Sequence, residues 1–144
     1  MSLARSMMGY AYLEAHRLNH DHICTEHLLL GLLAMGDPLV MRLLSDEEVD
    51  PVRVREAVES CLIPGGTQAP APAGELPFTP RAKQVLERAV EFATRSGRTT
   101  IGPDLLLLAL LHDDNSVAGC VLGNLGLDLR ATLERVLPAS SQAH

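Results

Sequence analysis

The chain contains the stretch Ile23-Cys-Thr-Glu-His-Leu-Leu-Leu-Gly-Leu-Leu33, and a variant of this stretch occurs a second time. The second stretch is Ile101-Gly-Pro-Asp-Leu-Leu-Leu-Leu-Ala-Leu-Leu111, so the offset is 101 − 23 = 78 residues. Each leucine run is apolar on nearly every side of a helix, which predicts a helix buried at the centre of a fold. The fold is therefore expected to have two central helices of similar sequence.

The similarity between the two copies extends well beyond the leucine runs. Without any gap, the same offset aligns small, charged and apolar residues: Ala4 with Ala82, Ala11 with Ala89, Ala15 with Ala93, Arg17 with Arg95, Leu44 with Leu122, Asp50 with Asp128 and Val58 with Val136. One register held over four predicted elements indicates an internal duplication, in which Asp50 and Asp128 are the predicted N-caps of the last helix of each copy. We assign repeat 1 to residues 3–62 and repeat 2 to residues 78–137, within a single domain that spans 1–144.

Residues 63–77 separate the two copies. From Pro64 to Pro77 this segment contains four prolines and three glycines, a composition that sustains neither a helix nor a central strand. We predict a linker there, and a flexible tail over 138–144.

Apolar residues at a spacing of three and four predict four helices in each copy and about eight in all. The first helix of repeat 2 has a strong start signal, because Thr79 suits the N-cap and Pro80 the first helical position. Met1 aligns with Thr79, so the first helix of repeat 1, with Leu3 on its apolar face, is expected to begin at the terminus without a side-chain cap. The predicted class is all-α, a tandem pair of four-helix repeats with pseudo-twofold symmetry.

Composition narrows the possible partners and the compartment. The formal charge is −6 and Lys83 is the only lysine, which argues against a nucleic-acid partner, since such binding depends on clustered basic residues. No apolar run approaches the length of about 20 residues that spans a bilayer, and the first residues lack the apolar core of a signal peptide. We expect a cytoplasmic protein that does not bind membranes, with its three cysteines as free thiols.

Two segments carry a family signature: Thr25-Glu-His-Leu-Leu-Leu-Gly-Leu-Leu33, and Leu76-Pro-Phe-Thr-Pro-Arg-Ala-Lys-Gln-Val-Leu-Glu87. The chain resembles the Clp repeat, or Clp N-terminal, domain over positions 3 to about 137, most closely that of ClpC-type unfoldases. The resemblance implies a noncatalytic module that receives substrates or adaptors for a ring-shaped, ATP-driven unfoldase and its protease. The sequence has no G-x4-G-K-[ST] phosphate loop, so we expect no enzyme activity and no cofactor, in either a free-standing copy or the N-terminal part of a longer protein.

The resemblance also implies candidate ligand residues. ClpC-type domains of some bacteria bind phosphoarginine at two pseudo-equivalent sites, each with a threonine near the start of the first helix and a glutamate in the Thr-Glu-His motif. Here Glu26 matches the acid of the first site, while Met1 stands where its threonine would be. Thr79 matches the hydroxyl of the second site, Asp104 takes the place of its acid, and Arg81 supplies further positive charge.

A second ligand class follows from the same resemblance. Related domains are targets of cyclic-peptide antibiotics, which bind near a phenylalanine, a lysine and a glutamate that match Phe78, Lys83 and Glu87. The alternative function is therefore a free-standing decoy that sequesters such peptides without an unfoldase partner.

The histidines of the first copy look at first like a metal site. His16, His20, His22 and His27 lie close together in sequence with Cys24, and imidazole and thiolate are good ligands for transition metals. His27 belongs to the family motif with no metal implied, and His20 and His22 fall in a predicted loop. We predict no metal site and no catalytic residues.

Overall fold

A computed structural model describes residues 2–3, 5–18, 20–62, 77–113 and 115–137. Within them the elements follow the order β1 (Ser2–Leu3), α1 (Arg5–Arg17), α2 (Thr25–Met35), α3 (Pro38–Asp46), α4 (Pro51–Cys61), α5 (Pro80–Arg95), β2 (Thr100–Ile101), α6 (Pro103–His112), α7 (Val117–Asn124) and α8 (Leu129–Val136). The predicted all-α class and the count of eight helices are confirmed for the described residues. Most of the predicted linker, and all of the predicted tail, lie outside them.

The second, third and fourth helices of the two copies begin at equivalent positions. Adding 78 to the first residues of α2 and α4 gives the first residues of α6 and α8, and α3 and α7 differ by one residue. Asp50 and Asp128 cap α4 and α8 as predicted, since each carboxylate accepts a backbone N–H of the first turn. Equivalent capping residues thus start the last helix at the same position in both copies.

The start of α1 differs from the prediction. The sequence predicts Leu3 on the apolar face of a helix that begins at the terminus, but Leu3 lies in β1, and α1 begins only at Arg5. When the offset of 78 residues is applied, α1 starts three residues later than α5. The start of α5 has a side-chain cap at Thr79, followed by Pro80 as the first helical residue. An extended segment that pairs with β2 replaces the missing first turn.

The two leucine-rich helices form the centre of the core. The leucines of α2 from Leu28 to Leu30, and every residue of α6 from Leu105 to Leu110, are almost completely inaccessible to solvent. α2 packs against α6 and also against α4, α5 and α7, so the two copies share one core. In the described residues no single helix combines the length and the apolar composition needed to cross a membrane.

Candidate functional site

The two copies exchange extended segments. Ile23, which precedes α2, pairs in parallel with Phe78, which precedes α5. The N–H of Ile23 donates to the carbonyl of Pro77 at 2.8 Å, and the N–H of Thr79 donates to the carbonyl of Ile23 at 3.0 Å. In the other direction β1, before α1, pairs with β2, before α6. The start of each copy is therefore held beside the second helix of the other copy.

This exchange places the start of α5 next to the start of α2. Thr79 is the N-cap of α5, and its hydroxyl oxygen accepts the N–H of Ala82 at 3.2 Å. Glu26 is the second residue of α2, and the hydroxyl of Thr25 donates to its carboxylate at 2.9 Å. Two helix N-termini, a hydroxyl and a half-buried carboxylate thus lie side by side, and they come from different copies.

Asp104 lies elsewhere and is already paired. It is buried, and both of its carboxylate oxygens accept N–H groups from the guanidinium of Arg98, at 2.9 and 2.8 Å. This hydrogen bonding and the negative charge of Asp104 raise the pKa of Arg98. Arg98 thus already binds the carboxylate that the resemblance implies for ligand binding. A ligand guanidinium could bind Asp104 only by displacing Arg98.

The structure also separates Asp104 from Thr79 and Arg81. Arg81 donates to Asp113, just beyond the C-terminal end of α6, at 3.3 Å. Asp104 lies at the opposite end of that helix, nine residues earlier, which is about 13 Å at a rise of 1.5 Å per residue. The acid that the exchange brings near Thr79 is therefore Glu26, rather than the acid of its own copy.

The start of α2 is held by an imidazole. The N–H of the N-cap residue Cys24 donates to Nδ1 of His27 at 3.0 Å, in the reciprocal half of a capping box. Nε2 of His27 lies 2.7 Å from Nδ1 of His20. Burial, with the nearby His20 as a second cause, lowers the pKa of His27 to about 4. His27 is thus a neutral structural residue that positions the turn carrying Glu26.

A groove of about 510 Å³ lies between α5 and α6. Val85 and Ala109 contribute to its lining, and polar residues line the remainder: Arg81, Gln84, Glu87, Arg88, Glu91, His112, Asp113 and Asn115. The predicted residues Arg81 and Glu87 both border it. Lys83 is exposed on the same helix but does not line the groove, and Phe78 is half-buried against the core. Of Phe78, Lys83 and Glu87, only Glu87 lines this groove. Cyclic-peptide binding therefore stays a prediction.

The two copies differ by one methyl group at equivalent positions of α2 and α6. Gly31 lets α1 and α2 touch, because a Cβ there would lie 2.8 Å from the backbone nitrogen of Ala11. The offset places Ala109 at the equivalent position of α6. Ala109 carries the Cβ that Gly31 lacks, and it lines the groove between α5 and α6.

Sequence reasoning missed Arg98 and His20 as partners of the site residues. The offset aligns them with each other, and each precedes the second helix of its copy by five residues. This equivalent position in the two copies was the sequence signal that could have indicated both residues as partners. The described residues contain no group of three or more His, Cys, Asp or Glu side chains arranged to hold a metal ion.

The fold and the paired helix starts define a class of protein, the duplicated four-helix modules with a shared core and exchanged N-terminal segments. The family model described as the Clp repeat (R) N-terminal domain matches residues 2–125. The chain belongs to this family.

Individual relatives agree with this assignment. The chain is 35% identical to ClpC, the ATP-binding subunit of the ATP-dependent Clp protease, of Staphylococcus saprophyticus over 94% of its length. It is likewise 35% identical to the chaperone protein ClpB of Oceanobacillus iheyensis over 93%. In both cases it spans 16% of the relative. The N-terminal domain of ClpD from Arabidopsis thaliana superposes with a TM-score of 0.70 at 29% identity, covering 95% of this chain and 91% of that one.

Proposed function

We propose that the chain is a noncatalytic protein-binding module of a Clp chaperone or protease system, which receives substrates or adaptors. Membership of the family carries the proposal, since relatives from both kinds of system match most of this chain. In the described residues the acids of the candidate site pair with a neighbouring hydroxyl or arginine. The thiol of Cys24 lies 3.3 Å from Nδ1 of His27, but burial raises the pKa of this thiol to about 11 and lowers that of the imidazole to about 4, so neither group is poised as nucleophile or base. Such an arrangement is suited to binding rather than to turnover.

The site at the starts of α2 and α5 suits a phosphorylated guanidinium. Glu26 is an acceptor for guanidinium N–H groups, and such charge-assisted pairs are among the stronger hydrogen bonds in proteins. The N-termini of two helices and the hydroxyl of Thr79 favour an anion such as a phosphoryl group. We therefore assign an arginine-phosphorylated peptide to the pair of Glu26 and Thr79, one residue from each copy.

A binding measurement tests this pairing. The affinity of a fluorescent peptide that carries one phosphoarginine is expected to fall about tenfold or more in Glu26→Gln and in Thr79→Val, because each change removes a hydrogen bond to a charged group. Thr79→Ser keeps the hydroxyl and should bind nearly as well as the original chain. Fluorescence anisotropy at fixed salt measures all four affinities.

Two controls separate the ligand from the module. Asp104→Asn, used only if its helical circular dichroism is unchanged, should leave the peptide affinity intact. A loss of affinity in this variant would mean that Asp104, and not Glu26, acts together with Thr79. The second control compares two further ligands: the same peptide with unmodified arginine, and an unstructured model polypeptide. If both bind as tightly as the phosphorylated peptide and are insensitive to Glu26, the tag assignment is wrong while protein binding stands.

A further inference from the structure

Two of the three cysteines border one small pocket on the seam between the copies. Cys61 is the last residue of α4 in repeat 1, and Cys120 lies in α7 of repeat 2. Both are free and exposed, and both line a pocket of about 330 Å³ whose other contacts include Val117 and Val121. The pocket contains no residue of the helix-start site, and it shares only Asn115 with the lining of the α5–α6 groove.

The seam lacks a polar link where the thiols lie. Its pseudo-symmetric counterpart joins α3 to α8, where Arg135 forms ion pairs with Asp46 and Glu47. Among the described residues, no hydrogen bond or ion pair joins a side chain of α4 to one of α7. The contact between these two helices is therefore apolar, and the two thiols are the reactive groups on its rim.

We propose that Cys61 and Cys120 form a thiol–disulfide exchange site that joins the two copies covalently, with a low-molecular-weight disulfide such as oxidised glutathione as the oxidant. One thiolate attacks the small disulfide, forms a mixed disulfide and releases one small thiol. The second protein thiolate then attacks the protein sulfur of that mixed disulfide and releases the other small thiol. The chain loses two hydrogen atoms, and the reagent is reduced to two thiols.

The position of Cys61 favours the second step. A disulfide requires the two Cα atoms to lie within about 7 Å of each other. Because Cys61 ends its helix, its backbone adjusts without breaking the helix interior. Cys24 provides an internal comparison, since burial and the nearby charge of Glu26 raise the pKa of its thiol to about 11, which leaves little thiolate at neutral pH.

Mass spectrometry after incubation with oxidised glutathione tests the proposal. The chain is expected to lose the mass of two hydrogen atoms, a tryptic digest should contain a Cys61–Cys120 cross-link, and the melting temperature should rise by several degrees because the bond closes a long loop. Cys61→Ser and Cys120→Ser should each instead retain one glutathione on the remaining cysteine and show no such rise. Cys24→Ser should behave as the original chain.

Three results would overturn the proposal. These are two stable glutathione adducts on the original chain, a disulfide between two chains, or no change at either cysteine. None of them bears on the helix-start site, because Glu26 and Thr79 do not line this pocket and are tested by peptide affinity.

Discussion

Gly119→Ala is expected to lower the free energy of unfolding by about 2 to 3 kcal/mol, a cost typical of inserting an atom into a packed interior. Gly119 is buried in α7, and a Cβ there would lie 2.2 Å from the carbonyl oxygen of Asp113 and 2.7 Å from that of Leu110. Both obstacles are backbone atoms, so no side-chain rotation relieves the contact. The turn between α6 and α7 would have to open, and α7 would move away from the seam.

Gly123→Ala is the matched control, because it makes the same chemical change in the same helix. A Cβ at Gly123 meets no atom within 4 Å, and alanine is favoured over glycine in a helix by up to about 1 kcal/mol. Gly123→Ala should therefore stabilise the chain slightly, and urea unfolding of both variants measures the difference. Equal effects of the two substitutions would mean that helix propensity, and not the close approach at Gly119, decides the outcome.

The elements that the sequence predicted well are those specified by local signals. The caps at Thr79, Asp50 and Asp128 each depend on residues within one turn of the feature, and the structure confirms these caps. The buried position of the leucine helices follows from their composition in the same way. Local chemistry therefore accounts for the starts of α4, α5 and α8 and for the burial of α2 and α6.

The candidate site was harder to predict, because it depends on contacts between the copies. The periodicity of either repeat contains no sign that Thr79 pairs with Ile23, or that β1 extends away from its own helix to reach β2. Asp104 illustrates the same limit. Its place in the motif indicated a ligand acid, but the side chain that reaches it is Arg98, on a loop whose path the sequence pattern does not define. The alignment pairs Thr79 with Asp104 of its own copy, whereas the pairing of Ile23 with Phe78 brings the start of α5 beside the start of α2 in the other copy.

Acid is expected to destabilise the chain through His27. The neutral ring accepts the N–H of Cys24 at Nδ1, which leaves the ring proton on Nε2, facing His20. Protonation places a second proton on Nδ1, removes the acceptor of the cap and charges a buried ring. The folded-state pKa of about 4 lies below the ordinary value of 6.5, so the folded state binds this proton less readily than the unfolded state. This contribution to stability is therefore complete above about pH 6.5 and is lost progressively as the pH falls towards 4.

His27→Gln isolates this contribution from the titration of the carboxylates. A glutamine at this third helical position accepts the same N-cap N–H but does not titrate. From a shift of about 2.5 pKa units, the original chain should lose roughly 2 kcal/mol more than His27→Gln between pH 7 and pH 4.5. Urea unfolding at the two pH values measures the difference, and His22→Gln, which changes an exposed histidine, should follow the original chain at both. If His27→Gln keeps the full acid sensitivity, the buried imidazole is not its source, and the acid-labile contact must be sought among the carboxylate pairs.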